Sequence, residues 1–127
     1  MCGIAGIVGK TNNNSIHNML FAQKHRGPDN TSVWIDKDIQ LGHNRLSIID
    51  LSEEANQPFE NEQYVLVFNG EIYNYLEIRS EIKDYFFKTN SDTEVLLAAY
   101  IKWGNKCLSK LNGMFSFIIL ISFSLLL

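Results

Sequence analysis

Cysteine stands directly behind the initiator methionine in this 127-residue sequence, and no other feature is as suggestive of chemistry. Removing Met1 would leave Cys2 carrying a thiol and a free α-amine on one residue. Such an amine titrates at roughly 7.7 to 8, so near neutral pH part of it is unprotonated and can accept the thiol proton, directly or through water. That pairing of nucleophile and base is the logic of an N-terminal nucleophile. Met-Cys-Gly alone has an equally simple explanation, because cysteine is among the most commonly buried residues and Cys2 begins an apolar run. Competing chemistries find little support. Cys2 and Cys107 cannot build a thiolate zinc site or a disulfide framework, and His17, His25 and His43 lack metal-ligand spacing, so no metal is expected and these histidines read as surface or satisfied ones. No glycine-rich phosphate loop is present. The 11 Lys and Arg against 14 Asp and Glu, spread along the chain, give no basic patch for nucleic acid.

The elements that must hold Cys2 follow from hydrophobic patterning. One core is the ceiling for this length. Cys2 to Val8 reads as a buried strand, and Ile16, Met19, Leu20 and Gln23 fall on one stripe of a helix that Pro28 stops. Thr31 to Ile35 and Ile39 to Ile49 read as strands of a hairpin turning at Asp36-Lys37-Asp38, and Leu51 to Glu62 as loop. Tyr64 to Phe68 is an apolar strand that should end in a sharp turn at Asn69-Gly70. A helix over Tyr75 to Lys83, with Leu76, Ile78 and Ile82 inward, and a strand over Tyr85 to Thr89 come next.

Ser91-Asp92-Thr93-Glu94 is a capping box in which the Ser hydroxyl and Glu carboxylate each take an orphan N–H. It opens a helix to Trp103 that buries Leu96, Ala99, Tyr100 and Trp103 and ends at Gly104. Cys107 reads as packing. The uncharged run from Met114 to Leu127 is a strand candidate, short of the roughly 18 to 20 residues that span a bilayer. The N-terminus lacks the layout of a secretory signal, and few cysteines fit a reducing cytoplasm.

Seven segments in order carry a resemblance: Met-Cys-Gly-Ile-Ala-Gly at the start, His25 to Asp29, Gly42 to Ser52, Gln57-Pro58-Phe59, Phe68 to Asn74, Ser91 to Val95, and Leu111 to Phe115. Together they resemble the class II glutamine amidotransferases. The Pro28-Asp29 pair and Arg45-Leu46-Ser47-Ile48-Ile49-Asp50 resemble most closely the glutamine-hydrolysing asparagine synthetases. The resemblance implies an α+β N-terminal-nucleophile (Ntn) hydrolase fold, an αββα sandwich of two antiparallel sheets between helical layers.

It further implies that Cys2 attacks the side-chain amide of glutamine, with Asn69 and Gly70 as oxyanion donors. Arg45 would grip the α-carboxylate, Asp92 would face the α-ammonium, and Glu71 with Ile48 and Ile49 would complete the pocket. As single residues, Arg45 would more simply make a surface ion pair, Asp92 would favour a helix's first turn, and Asn-Gly would form a hairpin turn. Residues 1–117 correspond to the amidotransferase domain in part. The apolar tail at 118–127 departs from the family, so the sandwich is expected to be incomplete at its C-terminal side, with an unpaired sheet edge. The implied partners are glutamine and a synthetase domain or partner chain that receives ammonia, and a homodimer is allowed. No cofactor is implied for this chain. ATP and Mg2+ are expected for the synthetase domain, which has no counterpart in this sequence. An inactive binding remnant, or a subunit serving another acceptor, are the alternative readings.

Overall fold

The computed structural model describes residues 1–12 and 14–121. Strands β1 (Gly3–Val8), β2 (Asn30–Asp36) and β3 (Ile39–Arg45) form one antiparallel sheet in the order β1-β3-β2. Strands β4 (Phe59–Glu60), β5 (Tyr64–Ile72) and β6 (Gly113–Ile121) form a second in the order β4-β5-β6. Helix α1 (Asn14–Ala22) lies on the first sheet, and α3 (Asp92–Trp103), with α2 (Tyr75–Glu81) beside it, on the second. The result is the expected α+β sandwich of two antiparallel sheets between helices.

Strand alternation explains why the layers stack in this order. Ala5 on β1 packs with Ile16 and Leu20 of α1, whereas Leu41 on β3 faces Val65 and Val67 of β5 across the gap between the sheets. The intervening β5 residues Leu66 and Phe68 point the other way and join Val95, Leu96 and Ala99 of α3 in the largest core cluster. Each fully buried Leu, Val or Phe contributes roughly 1.5 to 3 kcal/mol relative to exposure, so a one-residue slip of β5 would forfeit both cores at once.

Several expectations need correction. Met19 is exposed, so the buried stripe of α1 is Ile16 and Leu20 alone, and Leu76 is likewise exposed while Ile78 and Ile82 are buried. Strand β3 ends at Arg45 rather than Ile49, because beyond it the backbone is claimed by neighbours: Leu46 by Cys2 and Ser47 N–H by Asp29 Oδ2 at 2.8 Å. Asn69-Gly70 makes no turn. β5 runs straight through it, paired Asn69 to Ser116 and Gly70 to Phe115 of β6, so long-range pairing overrides the local preference. Gly70 is needed there for another reason, since a Cβ would overlap the Met114 carbonyl and the Phe115 backbone.

Tyr85 to Thr89 is not a strand either. Tyr85 and Phe87 pack on the α-helical core, and the Lys88 and Thr89 N–H groups donate to the Glu94 carboxylate at 2.9 and 2.6 Å instead of to a ladder. The capping box is therefore half as expected: Ser91 Oγ accepts from Glu94 N–H at 3.2 Å, but the Glu94 side chain serves the preceding loop. The helix does run to Trp103, and Gly104 ends it with φ 56°. The hairpin at Asp36 to Asp38 forms as expected, with Lys37 at φ 49°. Of the apolar C-terminal run, 114–121 lies in β6, and residues 122–127 lie outside the described residues. Among the described residues no helix is long and apolar enough to cross a membrane.

Candidate active site

A cavity open at one side lies where β4 stops short. Because β4 has two residues, the β5 edge it would cover is bare beyond Leu66, and bare backbone must find partners elsewhere. Side chains supply them. Phe68 N–H donates to Gln57 Oε1 at 2.6 Å, His43 Nε2–H donates to the Phe68 carbonyl at 3.2 Å, and Ile72 N–H donates to Asp92 Oδ2 at 3.1 Å. Alternate residues of a strand direct N–H and C=O to the same edge, so Gly70 N–H faces this edge too. No side chain among the described residues caps it.

Cys2 precedes β1 on the opposite sheet and is half-buried in the cavity wall. Its sulfur accepts from Leu46 N–H at 3.3 Å and donates to the Leu46 carbonyl at 3.7 Å, while Arg26 Nε–H holds the Cys2 carbonyl at 3.0 Å. Three contacts thus fix the thiol's placement before any ligand arrives. The Met1 side of the chain also lines the cavity.

Arg45 ends β3 and is buried, which excludes the surface ion pair. Its guanidinium is wrapped by the loop that follows: one nitrogen donates to the Ser52 carbonyl at 2.8 Å and to Asn56 Oδ1 at 2.7 Å, and another to the Asp50 carbonyl. All these acceptors are neutral, so the guanidinium is oriented without a salt bridge among the described residues where it borders the cavity, with the Asp50 charge near enough to be felt. Asp92 and Glu71 line the same cavity. Burial pushes the Asp92 carboxyl above its usual range, and the neighbouring Glu71 charge adds to the effect. Neither makes a salt bridge among the described residues. The cavity lining therefore carries one guanidinium and two carboxyl groups with no salt bridge between them.

Of the residues singled out in the sequence, Cys2, Arg45, Ile48, Ile49, Gly70, Glu71 and Asp92 line this cavity together. Asn69 stands beside it rather than in its wall, with Oδ1 buried and without a partner among the described residues. Three further residues escaped sequence reasoning. Gln57 bridges Phe68 N–H and, through Nε2 at 3.1 Å, Thr93 Oγ1 of α3.

Asp50, held at φ 54°, accepts Ser52 N–H and Oγ–H with Oδ1 and Asn90 N–H at 2.6 Å with Oδ2, bonds that hold its carboxyl below the usual range. It thereby ties the loop around Arg45 to the turn before Asp92. His43 is fully buried, with Nδ1 unpartnered among the described residues, so it is neither surface nor satisfied. Burial pushes its pKa down to about 4 against the opposing pull of the Phe68 bond, with Arg45 adding to the drop. Their place in the quoted motifs was the only available signal, since each acts through a partner distant in sequence. His17 and His25 are exposed, and Cys107 is buried in the core as packing.

Comparison with known proteins gives a match to the glutamine amidotransferase domain family over residues 1–122. The chain is 45% identical to glutamine-hydrolyzing asparagine synthetase 1 of Bacillus subtilis, covering 94% of this chain and 20% of that protein. It is 39% identical to putative glutamine-hydrolyzing asparagine synthetase 2 of Methanocaldococcus jannaschii, over 94% and 27% respectively. Against the glutamine-hydrolyzing asparagine synthetase of Zea mays the identity is 37%, over 94% and 22%. The chain spans about a fifth of the length of the Bacillus and maize relatives.

Proposed function

Because this chain belongs to the glutamine amidotransferase domain family, we propose that it hydrolyses glutamine to glutamate and ammonia through a thioester on Cys2. One observation carries this: a single cavity is lined by a thiol, a guanidinium and two carboxyl groups, none of them in a salt bridge among the described residues. A free α-amino acid is the ligand whose charges fit that lining. Its carboxylate complements Arg45, where remaining guanidinium donors allow a planar contact, and its ammonium complements Asp92 and Glu71. Binding would also relieve the cost of keeping Asp92 ionised in a buried position.

With the α-groups so held, the side-chain amide carbon lies toward Cys2. Sulfur attacks it, and the carbonyl electron pair moves onto oxygen, toward the uncapped Gly70 N–H and the Asn69 amide. The Cys2 α-amine, freed by removal of Met1, passes the thiol proton to the departing nitrogen, and ammonia leaves. Water then cleaves the thioester to glutamate. Loss of Met1 also clears part of the cavity that it now lines.

The names of the relatives point to asparagine synthesis as the step the ammonia serves, and we infer amidation of aspartate as its reaction. A synthetase region beyond this chain would bind the ATP and Mg2+ for it and receive the ammonia. Two free cysteines accord with work in a reducing cytoplasm. The test is labelling with a diazoketone analogue of glutamine, followed by peptide mass analysis, beside a glutamate-release assay. Wild-type protein should be modified on Cys2 after loss of Met1, and Cys2→Ser should neither label nor turn over. Glutamate release that survives in Cys2→Ser refutes the assignment.

A further inference from the structure

Among the described residues, the bond from His43 Nε2–H to the Phe68 carbonyl at 3.2 Å is the only hydrogen bond that joins a strand of one sheet to a strand of the other. Beside it, the strands of the two sheets meet in apolar packing around Leu41, Val65 and Val67, with Ile4 and Leu120 beside them. Apolar contact is non-directional and tolerates small sliding movements, whereas a hydrogen bond fixes a distance and a direction. The distinction matters at this point of the chain. Cys2 and Arg45 belong to the first sheet, and Gly70, with Asn69 beside it, to the second, immediately after the tethered Phe68.

We propose that His43 is a positioning residue, acting through the Phe68 carbonyl to set the Asn69–Gly70 donors on β5 relative to the Cys2 sulfur on the facing sheet. It rests on the glutamine hydrolysis proposed above. The geometry determines the tautomer: a carbonyl can only accept, so Nε2 carries the proton and Nδ1 is a bare acceptor. Strand alternation puts His43 between Leu41 and Arg45 on the inward row of β3, a row otherwise devoted to core or cavity. A leucine there would fill the space and bury more apolar surface. It could not donate, and the Phe68 carbonyl would be left buried and unpaired. The buried ring stays neutral over the working pH range, since its pKa is pushed down to about 4.

Two amide substitutions separate positioning from simple filling. In His43→Gln the amide nitrogen is as many bonds from Cβ as Nε2 and can restore the donor, whereas in His43→Asn it falls short, at the place of Nδ1. Rates are taken per active site titrated with the diazoketone, so unfolded protein does not count. His43→Asn should lose about tenfold or more in kcat with KM within about threefold, because oxyanion donors act on the transition state rather than on glutamine binding. His43→Gln should recover most of the loss. Full kcat in His43→Asn, or an equal fall in both variants, overturns the proposal.

Hydrogen exchange gives a readout that does not depend on activity. Amides of 68–72 should exchange faster in His43→Asn and at the wild-type rate in His43→Gln, with 39–42 unchanged in both. Unchanged exchange in His43→Asn also overturns it. Absence of glutamine hydrolysis by wild-type protein would instead fall on the preceding proposal, and the exchange comparison would still decide the role of the tether.

Discussion

Replacing His43 by Gln and unfolding both proteins with urea between pH 7 and pH 4 isolates one proton. In the folded chain His43 is fully buried and its pKa is pushed from 6.5 down to about 4, first by loss of water and then by Arg45. Unfolding restores the ordinary value, so between these two pH values the unfolded chain holds a proton that the folded chain refuses. Stability is therefore intact above pH 6.5 and declines as pH falls toward 4. Each pH unit of that interval costs about 1.4 kcal/mol. Across the interval the loss comes to about 3 kcal/mol, a large share of the stability of a small domain. His43→Gln keeps a donor for the Phe68 carbonyl and has nothing to titrate. The other titratable groups respond in both proteins alike, so the difference between the two stability curves belongs to His43. Fluorescence of Trp34 and Trp103 reports the transition. Wild-type and variant curves that run parallel from pH 7 to 4 would refute the burial argument.

Asp92→Asn should raise the thermal midpoint at pH 7, because a carboxyl whose pKa is raised on folding, by burial and then by Glu71, loses stability as pH climbs from the usual carboxylate range through the raised value. The same variant should raise KM for glutamine about tenfold or more, which differential scanning and glutamate-release kinetics would read together. Gly70→Ala places a methyl against the Met114 carbonyl and Phe115 backbone, so β6 must shift. A loss of roughly 1 to 3 kcal/mol in urea unfolding is expected, with a fall in kcat exceeding that of any surface substitution. Asp50→Gly keeps the left-handed backbone at φ 54° but removes the carboxylate between Ser52 and Asn90. KM should rise about three- to tenfold with kcat within about twofold, since the loop around Arg45 loses its tie to the turn before α3.

Much of the fold was legible where local chemistry and tertiary demand agree. The capping serine at 91, the glycine stop at 104 and the hairpin at Asp36 to Asp38 each satisfy a backbone need within a few residues, and the apolar runs at 3–8 and 64–68 do lie in strands. Sequence misled where distant partners outbid local preference. Asn69-Gly70 bends readily in isolation, but pairing with Ser116 and Phe115 holds it straight. Tyr85 to Thr89 has strand composition, yet Glu94 takes its N–H groups from outside any ladder.

The site divides along the same line. The sequence by itself determined the kinds of group available: a thiol that processing can pair with an amine, a guanidinium, carboxylates, and a residue without a side chain at 70. These are properties of residue type and order. Only the tertiary structure decided that they share one cavity, that Arg45 is buried among neutral acceptors, and that Gln57, Asp50 and His43 brace it. Those relations depend on where β4 stops and on which face of β3 meets β5, and both are fixed by packing between segments far apart in the chain.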